Sequence, residues 1–83
     1  MNSNKQNLIN KIKYRSLYRG TKEMDLYVSS FVNSIISDLS LKELENLNAL
    51  VNLNDEQIID ISNGINNHNI DNKIVNLLVN YKL

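Results

Sequence analysis

The longest apolar stripe in the chain has one period only. Met24, Tyr27, Val28, Phe31, Val32, Ile35, Ile36 and Leu39 recur at i, i+3, i+4, i+7. One face of an α-helix produces that spacing, and a pleated strand does not. The stripe predicts a helix over residues 22–37. Its apolar face is wide, which makes it the central and most buried element. Proline is absent and glycine stands only at Gly20 and Gly64, so few positions can break a helix.

The other segments share the period. Leu8, Ile9, Ile12, Leu17 and Tyr18 predict a first helix over 5–18, ended by Gly20 as a left-handed residue just past it. Ser40 with Glu43 is a capping box that opens a third helix over 41–52, with Leu41, Leu44, Leu47, Leu50 and Val51 on one side. Asn54 with Gln57 repeats that pattern, and Asp55 and Glu56 fall in the first turn, where the helix dipole favours acids. Ile58, Ile61 and Ile65 then line a short fourth helix that ends near Asn63 and Gly64. Residues 66–69 form a polar loop. Asp71 is placed to cap a last helix over 72–81, with Ile74, Leu77, Leu78 and Tyr81 inward. No alternation of strand type survives over five residues. The expected fold is all-α, a compact bundle of about five short helices with tight connections.

Eighty-three residues at 9.6 kDa make one domain over 1–83, with residues 1–4 expected as a disordered tail. Such a chain, once compact, has a radius of gyration of about 12 Å. It builds one small core, too little for a cofactor-binding fold plus a substrate domain. Cysteine is absent, which excludes disulfides, thiolate metal sites and a cysteine nucleophile. No apolar run approaches the ~20 residues that span a bilayer. Asparagine is common, sixteen of 83 residues, and is read as a bias of the source rather than as a prion-like tract.

Charge is balanced overall but divided along the chain. Lys5, Lys11, Lys13, Arg15, Arg19 and Lys22 precede the first acid, and nine acids then face only Lys42, Lys73 and Lys82. Such asymmetry marks either a binding face or a basic helix lying across an acidic bundle. The basic, amphipathic start is also what mitochondrial presequences show, but its apolar pattern runs straight into the next helix, so it reads as structural.

Catalytic chemistry has little to work with. His68 is the only histidine, and it sits in a loop with no acid, serine or cysteine set as a relay. Metal-binding motifs and glycine-rich phosphate loops are absent. The informative stretch is Tyr14-Arg15-Ser16-Leu17-Tyr18-Arg19-Gly20-Thr21-Lys22-Glu23-Met24-Asp25. It is a helix end, a glycine corner and a helix start. Every charge in it could serve the helix termini alone. An exposed Arg19, a bare Gly20 and a carboxylate close by would equally suit docking onto another protein, because glycine lets a foreign backbone approach.

This stretch resembles the RGxxE signature of the SdhE family, also called succinate dehydrogenase assembly factor 2. Arg19, Gly20 and Glu23 match the signature, and Asp25 matches the acid that commonly follows. Tyr14-Arg15-Ser16 before it, the Leu26 to Phe31 run after it and the Leu-Ser-Leu-Lys-Glu-Leu entry to helix three also fit. The variant Arg-Gly-Thr-Lys-Glu-Met-Asp is similar to that of alphaproteobacterial members, and the resemblance covers about residues 8–82. It implies a small helical assembly factor, not an enzyme. Such a factor promotes covalent attachment of FAD to a histidine of the flavoprotein subunit of succinate dehydrogenase, and of fumarate reductase where present. FAD would be attached to that partner and none held stably by this chain, and no metal is implied. Arg19, Gly20 and Glu23 would be contact residues and Asp25 would support the corner. Arg15, one helical turn before Arg19, is added as lying on the same face. The chain would be a monomer when free, without membrane insertion or nucleic acid, in the bacterial cytoplasm or, in a eukaryote, the mitochondrial matrix.

Some positions depart from the family. Tyr18 stands where many members have a second arginine, and Thr21 where many have methionine. No tryptophan occurs on the fourth helix, where Ile58 to Ile61 fill the region. The acids and prolines usual in the loop before that helix are reduced to Asn54-Asp55-Glu56.

Three rival readings follow from the residues. The basic first helix could bind nucleic acid, but the chain is neutral with a pI near 6.5, and its cations precede the corner rather than lining a groove-entering helix. A carrier of free FAD would need an aromatic cluster or a phosphate loop. A generic helical interaction module remains as the third.

Overall fold

Two helix starts are set by reciprocal side-chain caps. Ser40 Oγ accepts from the Glu43 amide at 3.2 Å while Glu43 Oε1 accepts from the Ser40 amide at 2.9 Å. Asn54 and Gln57 repeat the exchange at 2.9 and 3.0 Å. Each box satisfies amides that a helix start leaves without partners. A third start is capped singly, by Thr21 Oγ1 accepting from the Met24 amide at 3.2 Å.

The computed structural model describes residues 3–82. Among them the backbone forms α1 (Ser3–Leu17), α2 (Lys22–Ile35), a 3-10 turn (Ile36–Asp38), α3 (Leu41–Val51), α4 (Asp55–Ser62) and α5 (Asn72–Val79), with no strand. The all-α expectation holds. The tail expected at 1–4 is corrected in part: residues 1 and 2 lie outside the described residues, and α1 already begins at Ser3.

The core takes side chains from every helix. Ile12, Phe31, Val32, Leu47, Val51, Ile61, Ile74 and Leu78 are buried. Helix α1 packs on α2 and α3, α5 packs on α3 and α4, and the Cα radius of gyration is 11.9 Å. Central α2 buries Val28, Phe31 and Val32, and the Phe31 ring meets Tyr81 edge-on at 5.5 Å between centroids. Ile58 and Ile61 are buried on α4.

Five expected positions differ, one of them Leu41, which is exposed in the first turn of α3 although the stripe placed it on the apolar side. Leu17 and Tyr18, assigned to the apolar stripe of the first helix, are exposed, because the buried face of α1 runs through Ile12 and Ser16, one residue off Leu17, and Tyr18 lies past the helix end. Ile65 is also exposed. Gly64 ends α4 at φ +91°, with its amide on Ile61 O and the Ile65 amide on Asp60 O, both at 2.9 Å. That is a Schellman arrangement. It carries the chain away from the helix axis before Ile65 can follow the stripe. Asp71 precedes α5 but makes no side-chain cap, and its amide donates instead to Asn46 Oδ1 on α3 at 3.3 Å. Ile70, unassigned in the sequence, is buried. Asn66 turns it inward, since its Oδ1 accepts from the His68 and Ile70 amides at 3.3 Å and its Nδ2 donates to Ile70 O at 2.8 Å.

Lys73 on α5 donates to Glu43 Oε2 at 2.6 Å, tying α5 to the start of α3. That bond, followed by the Ser40 amide, holds the Glu43 carboxyl below its ordinary range. A depressed carboxyl stabilises the fold above its unfolded value, and the contribution is lost as pH falls through the folded one. Melting curves of Glu43→Gln should therefore lie below wild type near neutrality and converge on it at the acid end, as pH falls through the lowered Glu43 value. Glutamine keeps the cap and loses only the charge. The difference is small, because Lys73 reaches solvent. Equal gaps near neutrality and at the acid end would remove this assignment.

Candidate functional site

The corner between α1 and α2 is built by Asp25. This residue lies in the first turn of α2, and its Oδ1 accepts from the Arg19 amide at 2.5 Å and the Gly20 amide at 3.3 Å. The carboxylate thus gathers two amides of the incoming chain. It also sits where the helix dipole favours an acid. Gly20 has φ +124°, a conformation that L side chains rarely adopt, and a Cβ built there meets nothing within 4 Å. Glycine is therefore required for the backbone path and leaves an open surface above it. Gly20 is not the residue directly past the first helix, as the sequence suggested. Helix α1 ends at Leu17, and Gly20 turns the chain into α2 instead.

Arg19 is the largest departure from expectation. It is not an exposed cation, since only 4% of its side chain is accessible. Its guanidinium crosses to the α3–α4 turn. There Nε donates to Asp55 Oδ1 at 3.1 Å, and the two terminal nitrogens donate to Val51 O and Leu53 O. The carbonyls at the end of α3 have no partner within the helix, so Arg19 caps a helix that is not its own. The planar fork suits this task, because it delivers several donors in fixed directions.

The remaining corner residues point outward. Glu23 is exposed, with no hydrogen bond or ion pair among the described residues, and Arg15 is likewise exposed on α1. Arg15 and Arg19 do not share a face as the one-turn spacing predicted, because the helix stops between them and Arg19 turns inward. Beside the corner, Tyr14 and Tyr18 are exposed and hold their rings 4.7 Å apart.

Sequence reasoning missed Asp55 as a partner of Arg19 and read it only as a first-turn acid of α4. Nothing near residue 19 or residue 55 signals a pairing across 36 positions. His68 is exposed, and among the described residues no group of three or more histidine, cysteine or acidic side chains is placed to hold a metal. No described helix is long and apolar enough to cross a membrane.

No curated protein and no solved structure matches the chain. The match that exists is to a family, and it takes in the corner, the α3–α4 turn and all but the start of α1. Over residues 10–82 the sequence fits the family described as flavinator of succinate dehydrogenase (Sdh5), and the chain belongs to it.

Proposed function

We propose that the chain binds the flavoprotein subunit of succinate dehydrogenase through the α1–α2 corner and promotes covalent attachment of FAD there. The family acts on succinate dehydrogenase as an assembly factor rather than a catalyst, and covers nearly the whole chain. The observation that carries the assignment of the corner is its division of labour. Arg19 and Asp25 are spent inside the molecule, while Gly20 and Glu23 are left bare and facing out. Gly20 and Glu23 are the contact residues on this reading, with Arg15 flanking them. Arg19 and Asp25 hold the corner in shape.

The chemistry belongs to the partner. A flavin methyl carbon and an imidazole nitrogen must be held in attack geometry, and holding reactants so contributes several kcal/mol. A helper that fixes the flavoprotein's arrangement needs no catalytic residue and no stably bound FAD of its own. Fumarate reductase is a second client where the cell has one. The free chain is a monomer in the bacterial cytoplasm, or in the mitochondrial matrix of a eukaryote.

Covalent flavin survives denaturation, so in-gel flavin fluorescence of the denatured flavoprotein reports attachment alone. The band is expected to appear or strengthen with this chain present. Glu23→Ala, whose side chain is exposed and makes no hydrogen bond or ion pair among the described residues, should leave the melting temperature within about 2–4 °C, as surface changes of ±0.5 kcal/mol do. It should cut the attachment rate about tenfold, the worth of one charge-assisted contact. Unchanged covalent FAD with Glu23→Ala would sink the contact assignment.

A further inference from the structure

Resting on the docking role of the corner, we infer that Asp55 is a positioning residue for flavinylation, acting on the partner-facing corner through Arg19. Asp55 belongs to α4, on the far side of the α3–α4 turn from the corner, and its side chain is 31% exposed. Its Oδ1 accepts a hydrogen bond from Arg19 Nε at 3.1 Å. The Arg19 backbone, in turn, donates to the same Asp25 oxygen that receives the Gly20 amide. One residue therefore carries two constraints. Its side chain is fixed to α4 and to the end of α3, and its amide is fixed to α2. The orientation of Gly20 relative to the bundle follows from both.

The two constraints differ in kind. Asp25 sets the local bend of the corner. Asp55 sets where the bent corner sits against α4. Without Asp55 the guanidinium keeps its carbonyl acceptors but loses the one anionic acceptor that opposes rotation about its chain. Carbonyls accept over a broad range of directions, whereas a carboxylate facing Nε holds one edge of the fork. Losing that edge lowers stability and lets the corner shift, and because the guanidinium keeps its two carbonyl acceptors the chain still folds, so the effect on docking is read in the folded state. Exposed acids on the same helix that touch no cation, such as Asp60, lack this connection.

The test uses the full chain and FAD-loaded flavoprotein made without helper, with attachment rate followed against helper concentration. Asp55→Ala is expected to move the Arg19 Nε–H and Gly20 amide NMR resonances. It should keep a cooperative melt and raise the half-saturating concentration about fivefold at unchanged maximal rate, the scale of a partly exposed ion pair. Asp55→Asn keeps an oxygen for Nε and should recover most of the loss. Asp55→Ser, a sound first-turn residue too short to reach Arg19, should behave as alanine does if alanine proves too unstable. Asp60→Ala should match wild type. In Glu23→Ala, adding Asp55→Ala should cost less than it does alone, because both act on one contact. Wild-type half-saturation in Asp55→Ala and Asp55→Ser, with Glu23→Ala impaired, would overturn this inference and leave the docking role standing. A silent Glu23→Ala would remove the docking role itself, and this inference with it.

Discussion

Arg19→Lys is expected to fail nearly as completely as Arg19→Ala. If arginine served the corner as an exposed charge, lysine would keep that charge and much of the activity. The side chain is instead buried and divides its donors among Asp55 and the carbonyls of Val51 and Leu53. A lysine ammonium is a single point of charge and cannot span acceptors laid out for a planar fork. Either change strands polar groups at the buried end of α3, where Val51 is fully covered. Breaking a fully buried pair costs about 3–5 kcal/mol. Asp55 is partly solvated, so about 2–4 kcal/mol is the expected loss here. A chain of this length has a total stability of about 4–12 kcal/mol. Each kcal/mol moves the melting temperature by roughly 4–8 °C at this size, so a fall of about 10 °C or more should appear in thermal melts. Flavinylation should be depressed even at temperatures where the variant is folded, because the corner is no longer anchored to α4. Wild-type melting and attachment for Arg19→Lys would show that charge alone is what residue 19 supplies.

What could be read from the residues was what local physics decides. Both capping boxes, Ser40 with Glu43 and Asn54 with Gln57, are present as the spacing required. They are legible because both halves lie within one turn. The central stripe was equally plain, since a helix that buries Val28, Phe31 and Val32 repeats its demand every turn. Reading failed where a connection redirects the chain. The Gly64 turn took Ile65 out to solvent, and the Asn66 hydrogen bonds brought Ile70 in, although both are isoleucines flanked by polar residues. The same holds at the site. Asp25 could be placed at the corner from its helix-start position alone. Arg19 could not be placed, because its partners come from the α3–α4 turn and the packing of α1 on α3 brings them near. Arg19 therefore has a tertiary reason for its place, and Glu23, exposed at the start of α2, has one only on the proposed docking role.

Phe31→Ala is expected to cause the largest loss of stability of any single truncation on α2. Phe31 is the only phenylalanine, is 1% exposed and sits mid-helix between buried Val28 and Val32, with Tyr81 against its ring. Removing a buried ring costs about 3–5 kcal/mol, transfer and cavity together. Against about 4–12 kcal/mol in total, that removes about half of the stability at mid-range and unfolds part of the population where the total lies at the low end. Urea titration should show the midpoint falling by about half, whereas Phe31→Leu, which refills most of the space, should lose less than half as much. The functional consequence differs from that of a corner variant. Phe31 is remote from solvent, so each folded molecule of Phe31→Ala still presents an intact Glu23 and Gly20. A partner that binds only the folded form draws the equilibrium back by mass action. Attachment lost in Phe31→Ala should therefore return as the flavoprotein concentration is raised or the temperature lowered. In Glu23→Ala, cooling should restore nothing. Persistent loss in Phe31→Ala once circular dichroism shows it folded would mean that the body of α2 beyond its first turn contributes to the interface, and the corner would no longer account for binding alone.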